Sequence, residues 1–370
     1  MFKIKTTLAI GLLSCWISLT ATAQQAPQLR PDSILKIMNK VAAWQINEFT
    51  AGRVRPSEID WQNSVLYTGI IALKKINNLP PYDQFLYHIG EKHHWDLGPR
   101  RLFADDYCVA QMYTAMYMDH KEPKMIAKWT ALADSIVVHP FNEPLKVAPG
   151  ITDREWSWCD ALYMGPMGLA LLTMVTGNTK YLNKADSLWW KTSDYLFDPK
   201  EHLYFRDSKF FAQTEKNDAK VFWSRGNGWV IAALARMMDN MPKNFKTRKK
   251  YETQFKEMAE RIAGLQQADG SWHASLLDPV TFADKETSGT GFYCFAIAWG
   301  INKGLLPVKK YQPVVNKAWS ALVSSVHPDG KLGYVQNVGV GPVGANYETT
   351  NTYGIGAFLL AGCELYKLSK

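Results

Sequence analysis

Apolar residues recur at the period of an amphipathic helix along nearly the whole chain, and the two-residue alternation of a strand is almost missing. The pattern predicts helices near 32–49, 60–77, 82–95, 105–120, 123–139, 157–177, 179–197, 226–241, 247–268, 287–303, 308–327 and 350–368. These segments alternate in character. "KYLNKADSLWWKTSDYLF" and "RKKYETQFKEMAERIAGLQQ" carry one charged face, as surface helices do. "DALYMGPMGLALLTMV", "NGWVIAALARMM", "GTGFYCFAIAWGI" and "TYGIGAFLLAGCELY" are apolar nearly all round and rich in Gly and Ala, so they should be buried on every side. The connections "FDPKEHLYFRD" from Phe197, "QADGSWHASLLD" from Gln267 and "HPDGKLGYVQN" from His327 echo one another, each a turn followed by a short extended piece. A recurrence at about 60 residues is the mark of a repeat architecture. Six outer-inner hairpins closing on themselves give an all-α, (α/α)6-barrel fold. An open superhelix is the alternative, but its repeats usually run about 34 to 47 residues, and these inner helices are too apolar to leave a face wet.

The N-terminus departs from this pattern. "MFKIKTTLAIGLLSCWISLTATAQQ" puts Lys3 and Lys5 before an apolar run from Leu8 to Leu19 and an Ala21-Thr22-Ala23 cleavage site. It reads as a secretory signal over 1–23, followed by one barrel domain over 24–370, and implies a periplasmic location. A lipobox ending at Cys15 is the second reading, making a lipoprotein. No later stretch is apolar enough over about 20 residues to span a bilayer. With 42 basic against 34 acidic residues in the whole chain, loss of Lys3 and Lys5 lowers the formal charge from +8 to +6. The excess is scattered, with no basic-aromatic cluster to suggest nucleic acid. Cys108, Cys159, Cys294 and Cys363 have no metal-ligand spacing and read as reduced core residues.

In a barrel of this kind every inner helix starts at the same end, and that end collects "FADDYC", "EWSWCD", "WSRGNGW" and "DKETSGTG". Asp160 sits among Trp158, Cys159, Ala161 and Leu162, where lost hydration raises a carboxyl pKa towards the range of a general acid. A helix cap is the other reading of an Asp at that place. Asp105 and Asp106 open an earlier inner helix, where acids also favour the helix dipole. One of them opposite Asp160 would complete an acid-base pair. In "VFWSRGNGWV", Trp223 and Trp229 offer faces for a sugar ring, Arg225 offers a fork for a carboxylate, and Asn227 lies between them. Trp158, Arg206 and His273 join them as candidate substrate contacts, while Trp272, Glu286, Thr287 and Ser288 have ordinary turn or cap readings.

Taken together, "ADDYC", "WCDALYM" and "WSRGNGW" resemble the unsaturated glucuronyl and rhamnogalacturonyl hydrolases of glycoside hydrolase families 88 and 105, closer to 105, over nearly the whole mature chain. The resemblance implies that Asp160 is the principal acid/base, that Asp105 or Asp106 is its partner, with Asp105 preferred, and that Trp223, Arg225 and Trp229 line the uronate subsite. It also implies the reaction: Asp160 protonates C4 of a 4,5-unsaturated uronic acid left by a polysaccharide lyase, water adds at C5, and the hemiketal opens to release the rest of an unsaturated oligosaccharide. No metal or redox cofactor is called for. Two positions depart from the rhamnogalacturonyl pattern: Arg206 stands where a histidine is expected, and a lysine has no counterpart at Gly150, with Asp153 and Arg154 nearby. Both touch the expected sugar and carboxylate contacts, so the polysaccharide that supplies the substrate stays open, as does the oligomeric state. The rival readings are an inverting glycosidase or sugar epimerase on the same barrel, and a non-catalytic glycan-binding lipoprotein.

Overall fold

The computed structural model describes residues 29–149 and 154–370. The leader-like segment 1–23 with Cys15, and also Gly150 and Asp153, lie outside the described residues. The helices are α1 (Pro31–Thr50), α2 (Trp61–Ile76), α3 (Pro80–Lys92), α4 (Ala110–His120), α5 (Lys124–Val138), α6 (Ala161–Met164), α7 (Pro166–Thr176), α8 (Lys180–Leu196), α9 (Ser224–Asn240), α10 (Arg248–Gly264), α11 (Thr287–Asn302), α12 (Val308–Ser324) and α13 (Thr352–Leu368).

Outer helices bury one stripe. In α8, Tyr181, Leu182, Ala185, Leu188 and Trp189 face inward at helical spacing. The inner helix α11 has every residue from Thr287 to Ile301 buried, so its surroundings are protein on all sides. Inner helices touch in the order α2, α4, α7, α9, α11, α13 and back to α2, which closes the ring. Glycine makes the closure possible at two places. A Cβ on Gly356 would sit 2.4 Å from the Val65 carbonyl oxygen, and one on Gly69 would sit 2.7 Å from the Gly356 carbonyl oxygen. The backbones of α2 and α13 are therefore in contact, where even a methyl group would clash. Cys108, Cys159, Cys294 and Cys363 are buried free thiols in this core.

Two expected helices start differently from their sequence pattern. The segment expected to begin at 105 opens instead as a 3-10 turn, Ala104–Tyr107, before α4. The segment expected over 157–177 is cut at Gly165–Pro166 into α6 and α7, because proline brings no N–H. The ring of Trp156 also occupies the space where a side chain on residue 165 would go, 2.4 Å from its would-be Cβ. Gln111 Nε2 donates to the carbonyls of Tyr163 and Met164, each at 3.1 Å, and so satisfies acceptors at the break.

The echoed connections become β-ladders: β1 (Phe197–Asp198) with β2 (Leu203–Tyr204), β3 (Trp272–His273) with β4 (Lys285–Glu286), and a single bridge between Val326 and Leu332. The connection from α12 to α13 is long, and its residues 333–344 form a strap over the end where inner helices begin.

Candidate active site

A cavity of about 160 Å³ opens at that end. Its walls come from five parts of the chain: Trp61 from the start of α2, Asp105 from the 3-10 turn, Trp158, Asp160 and Met164 around α6, Arg206 after β2, and Trp223 before α9. The strap adds Val338, Gly339 and Val340. Larger hollows lie elsewhere. One of about 590 Å³ at the far ends of α2 and α4 is lined by Lys74, Asp83, Asp119 and His120. Lys74 there is paired with both Asp83 and Asp119, and His120 contacts Asp83 at 3.1 Å.

Asp160 precedes α6 with helical backbone angles, and its side chain caps nothing. The capping reading of this residue therefore falls away. Its Oδ2 accepts a hydrogen bond from Cys159 Sγ at 3.5 Å and lies 3.6 Å from Arg206 Nε. Burial raises the Asp160 pKa, and the nearby charges of Arg206 and Arg225 oppose the rise. Asp105 is pushed up to about 8, first by burial and then by the negative charge of Asp160. Its Oδ1 is buried without a hydrogen-bond partner. Buried beside the charge of Asp160, Asp105 keeps its proton near neutral pH.

Arg206 is the cation of the cavity. Its Nη1 donates to Asp207 at 2.6 Å, which fixes the guanidinium, while its Nε is buried with no hydrogen-bond acceptor. Burial works against the cation, but Asp160 and Asp207 outweigh it and raise its pKa. Trp158 is held by ring stacking on Phe103, centroids 4.9 Å apart, and Phe103 in turn carries Arg100 on its face at 3.8 Å. Trp223 donates its indole N–H to Gln336 Oε1 at 3.0 Å and keeps one edge on the cavity.

Other expected site residues lie outside the cavity, each for a physical reason. Asp106 points away from Asp160 and takes a two-pronged bond from Arg100, at 2.6 and 3.1 Å, plus the Arg100 backbone N–H at 2.7 Å. Arg225 is 1% exposed, sandwiched at 4.5 Å from Trp223 and 4.7 Å from Tyr353. Its two terminal nitrogens donate to the carbonyls of Gln336 and Asn337 at 2.7 and 3.0 Å, so both prongs of its fork already hold the strap. Asn227 clamps the backbone of Tyr204 from both sides and does not reach the cavity. Trp229 is fully buried among Trp61, Tyr163, Phe292 and Tyr353. His273 pairs with the Pro279 carbonyl at 2.9 Å. Trp272 bonds the Ile262 carbonyl, and Glu286 caps α11 through the N–H groups of Ser288 and Gly289 while Thr287 bonds the Gly333 carbonyl.

The sequence reading missed Trp61, Met164 and the three strap residues. Trp61 was within reach of the rule that inner helices begin at the mouth, since "EIDWQ" opens α2. The strap carries no periodicity and no chemistry-bearing side chain to flag it.

Comparison with known proteins identifies the family. The chain is 40% identical over 322 residues to an unsaturated 3S-rhamnoglycuronyl hydrolase of Formosa agariphila, covering 84% of this chain and 85% of that protein. A solved glycosyl hydrolase family 88 structure from Bacteroides vulgatus superposes with a TM-score of 0.82 at 30% identity, over 92% of this chain and 99% of that one. A family 105 glycoside hydrolase from C. acetobutylicum shares the fold, with a TM-score of 0.72 at 19% identity over 90% of this chain and 99% of that one. The family model described as Glycosyl Hydrolase Family 88 matches residues 37–369, and the chain belongs to that family.

Proposed function

We propose that this protein removes a 4,5-unsaturated uronic acid from the non-reducing end of an oligosaccharide whose next sugar is a rhamnose. The observation that carries the reading is the grouping of two mutually repelling carboxyls, Asp105 and Asp160, with one cation, Arg206, whose buried Nε lies 3.6 Å from Asp160 and has no hydrogen-bond acceptor. The name of the Formosa agariphila relative supports the rhamnose. The leader-like N-terminus supports export, with a mature chain beginning at Gln24 that N-terminal sequencing would detect.

In this mechanism the substrate carboxylate docks on Arg206 and the uronate ring lies between Trp158 and Trp223. Docking gives Arg206 a second anion and weakens its hold on the Asp160 charge, so the shared proton moves from Asp105 to Asp160. Asp160 delivers it to C4, and the C4=C5 electron pair forms the new C–H bond. The cation that develops over C5 and the ring oxygen faces Asp105, now ionised. Water adds at C5 and gives its proton to a carboxylate of the pair. The resulting hemiketal opens by breaking C5–O5, which leaves a ketone at C5 and a hemiacetal at C1; the hemiacetal collapses to an aldehyde as the C1–O bond breaks, and the aglycone departs with its hydroxyl restored. Each step needs only the proton of the pair and one water.

The test is loss of the ultraviolet absorbance of the conjugated double bond when the protein meets lyase-generated disaccharides. Wild type should bleach a rhamnose-containing product, and Asp160→Asn should bleach it slower by a factor of about 10² or more. Cleavage of saturated glycosides with no bleaching would overturn the reading in favour of an ordinary glycosidase.

A further inference from the structure

The cavity is too small for a disaccharide. Sites for drug-sized ligands start near roughly 300 Å³, and this one measures about 160 Å³, space for a single ring. The second sugar must therefore leave through the opening, and part of that opening is the strap.

The strap's chemistry is unusual for a rim. Val338 and Val340 are 53% and 55% exposed, although both line the cavity. Single exposed valines are ordinary, but two on one side of a functional opening form an apolar edge that a ligand can cover. Between them Gly339 would have its Cβ no nearer than 3.8 Å to any other group, so the protein's own packing does not demand glycine there. Its bare backbone leaves a saddle into which a ring can settle.

The saddle is anchored at both ends. Gln336 accepts from Trp223 through its side-chain oxygen, from Arg225 and Tyr353 through its carbonyl, and donates its backbone N–H to the buried Glu286. Beyond the valines, a Cβ on Gly341 would lie 3.2 Å from Phe210, so the far end rests on the neighbouring loop. Such anchoring lowers the ordering cost of binding.

We infer that Val338, Gly339 and Val340 form the wall for the aglycone and select a 6-deoxy sugar, whose methyl group packs on the two valines. A hydroxymethyl group in the same place would lose hydration against side chains that offer no hydrogen bond. The inference rests on the proposed function and adds the specificity residues to it. It also assigns Arg225 as a positioning residue, acting on the substrate through the strap.

Two unsaturated uronyl disaccharides test it, one ending in rhamnose and one in the sugar with a hydroxymethyl group in place of the methyl. Wild type should favour rhamnose by about tenfold in kcat/KM. The double variant Val338→Ser, Val340→Ser should lower that preference to within about twofold, mainly by slowing the rhamnose substrate. Both positions are more than half exposed, so its melting point should match wild type. Val280→Ser, at a valine 85% exposed that does not line the cavity, should leave both rates unchanged. If wild type bleaches neither disaccharide, the proposed function and this inference both fall. If wild type uses both equally, or the double variant slows both by one factor, the wall assignment alone is overturned.

Discussion

Replacing Asp105 by Asn should make the protein inactive and more stable, and the gain should grow with pH. In the fold this carboxyl is pushed up to about 8 from an ordinary value of 3.8. The folded state therefore keeps a proton that the unfolded chain releases. Stability from this group is complete below about pH 4 and is lost as pH rises towards 8. Roughly four pH units at 1.36 kcal/mol each set a ceiling of about 5 to 6 kcal/mol on the loss. Asparagine has no proton to keep and escapes it. Its amide inherits a place where Oδ1 already lacks a partner, so part of the gain is returned, and about 2 kcal/mol is the expected net at pH 8. For a chain of this size that is an increase in Tm of roughly 3 to 5 °C. Thermal melts of wild type and Asp105→Asn from pH 4 to 9, with bleaching rates beside them, measure both effects. A Tm difference that does not change with pH, or a variant less stable at every pH, would refute the assignment of a strained, protonated Asp105.

Three further outcomes follow from the same geometry. Asp106→Asn should change kcat by less than about threefold and lower stability by about 1 kcal/mol or less, since its partner Arg100 is half exposed; melts and initial rates check it. Arg206→Lys keeps the charge but not the planar fork, so kcat/KM should drop by about 30-fold or more in steady-state assays. Arg225→Lys should cost about 2 to 3 kcal/mol of stability in denaturant unfolding, because one short cation cannot hold both strap carbonyls and fill the space between Trp223 and Tyr353.

The fold was legible because its signal is redundant. Outer helices such as α8 and α10 carry a charged face, inner helices carry none, and each boundary prediction fell within a few residues. Of the two exceptions, at the starts of α4 and α7, the second depends on tertiary partners: Trp156 against Gly165, and Gln111 reaching across from α4. Pro166 was visible in the sequence, but not where its freed carbonyl groups would turn. In the cavity, the choice of Asp105 over Asp106 rests on the family resemblance, whereas Asp160 stands out because an acid in apolar company asks for an explanation. Arg225 misled for the same reason. A guanidinium between two tryptophans suggests a ligand, and only the return of the strap from more than a hundred residues downstream reveals that backbone carbonyls occupy it. Val338 and Val340 carried no signal at all, since their meaning lies in being exposed.

The contact between Gly356 of α13 and Val65 of α2 also joins the two ends of the described chain. The last inner helix closes a ring begun by the first, so almost the entire chain is the loop that must be closed before this contact can form. Such long-range pairing makes folding slow. It also ties activity to completion: Trp61 at the head of α2 stacks on Tyr353 at the head of α13, with centroids 5.5 Å apart, and that same tyrosine secures the strap. A nascent chain that has already made Asp105 and Asp160 thus has its acids but neither a finished ring nor a wall to hold a sugar against them. On the proposed function, the site is complete only once the C-terminal helix is seated.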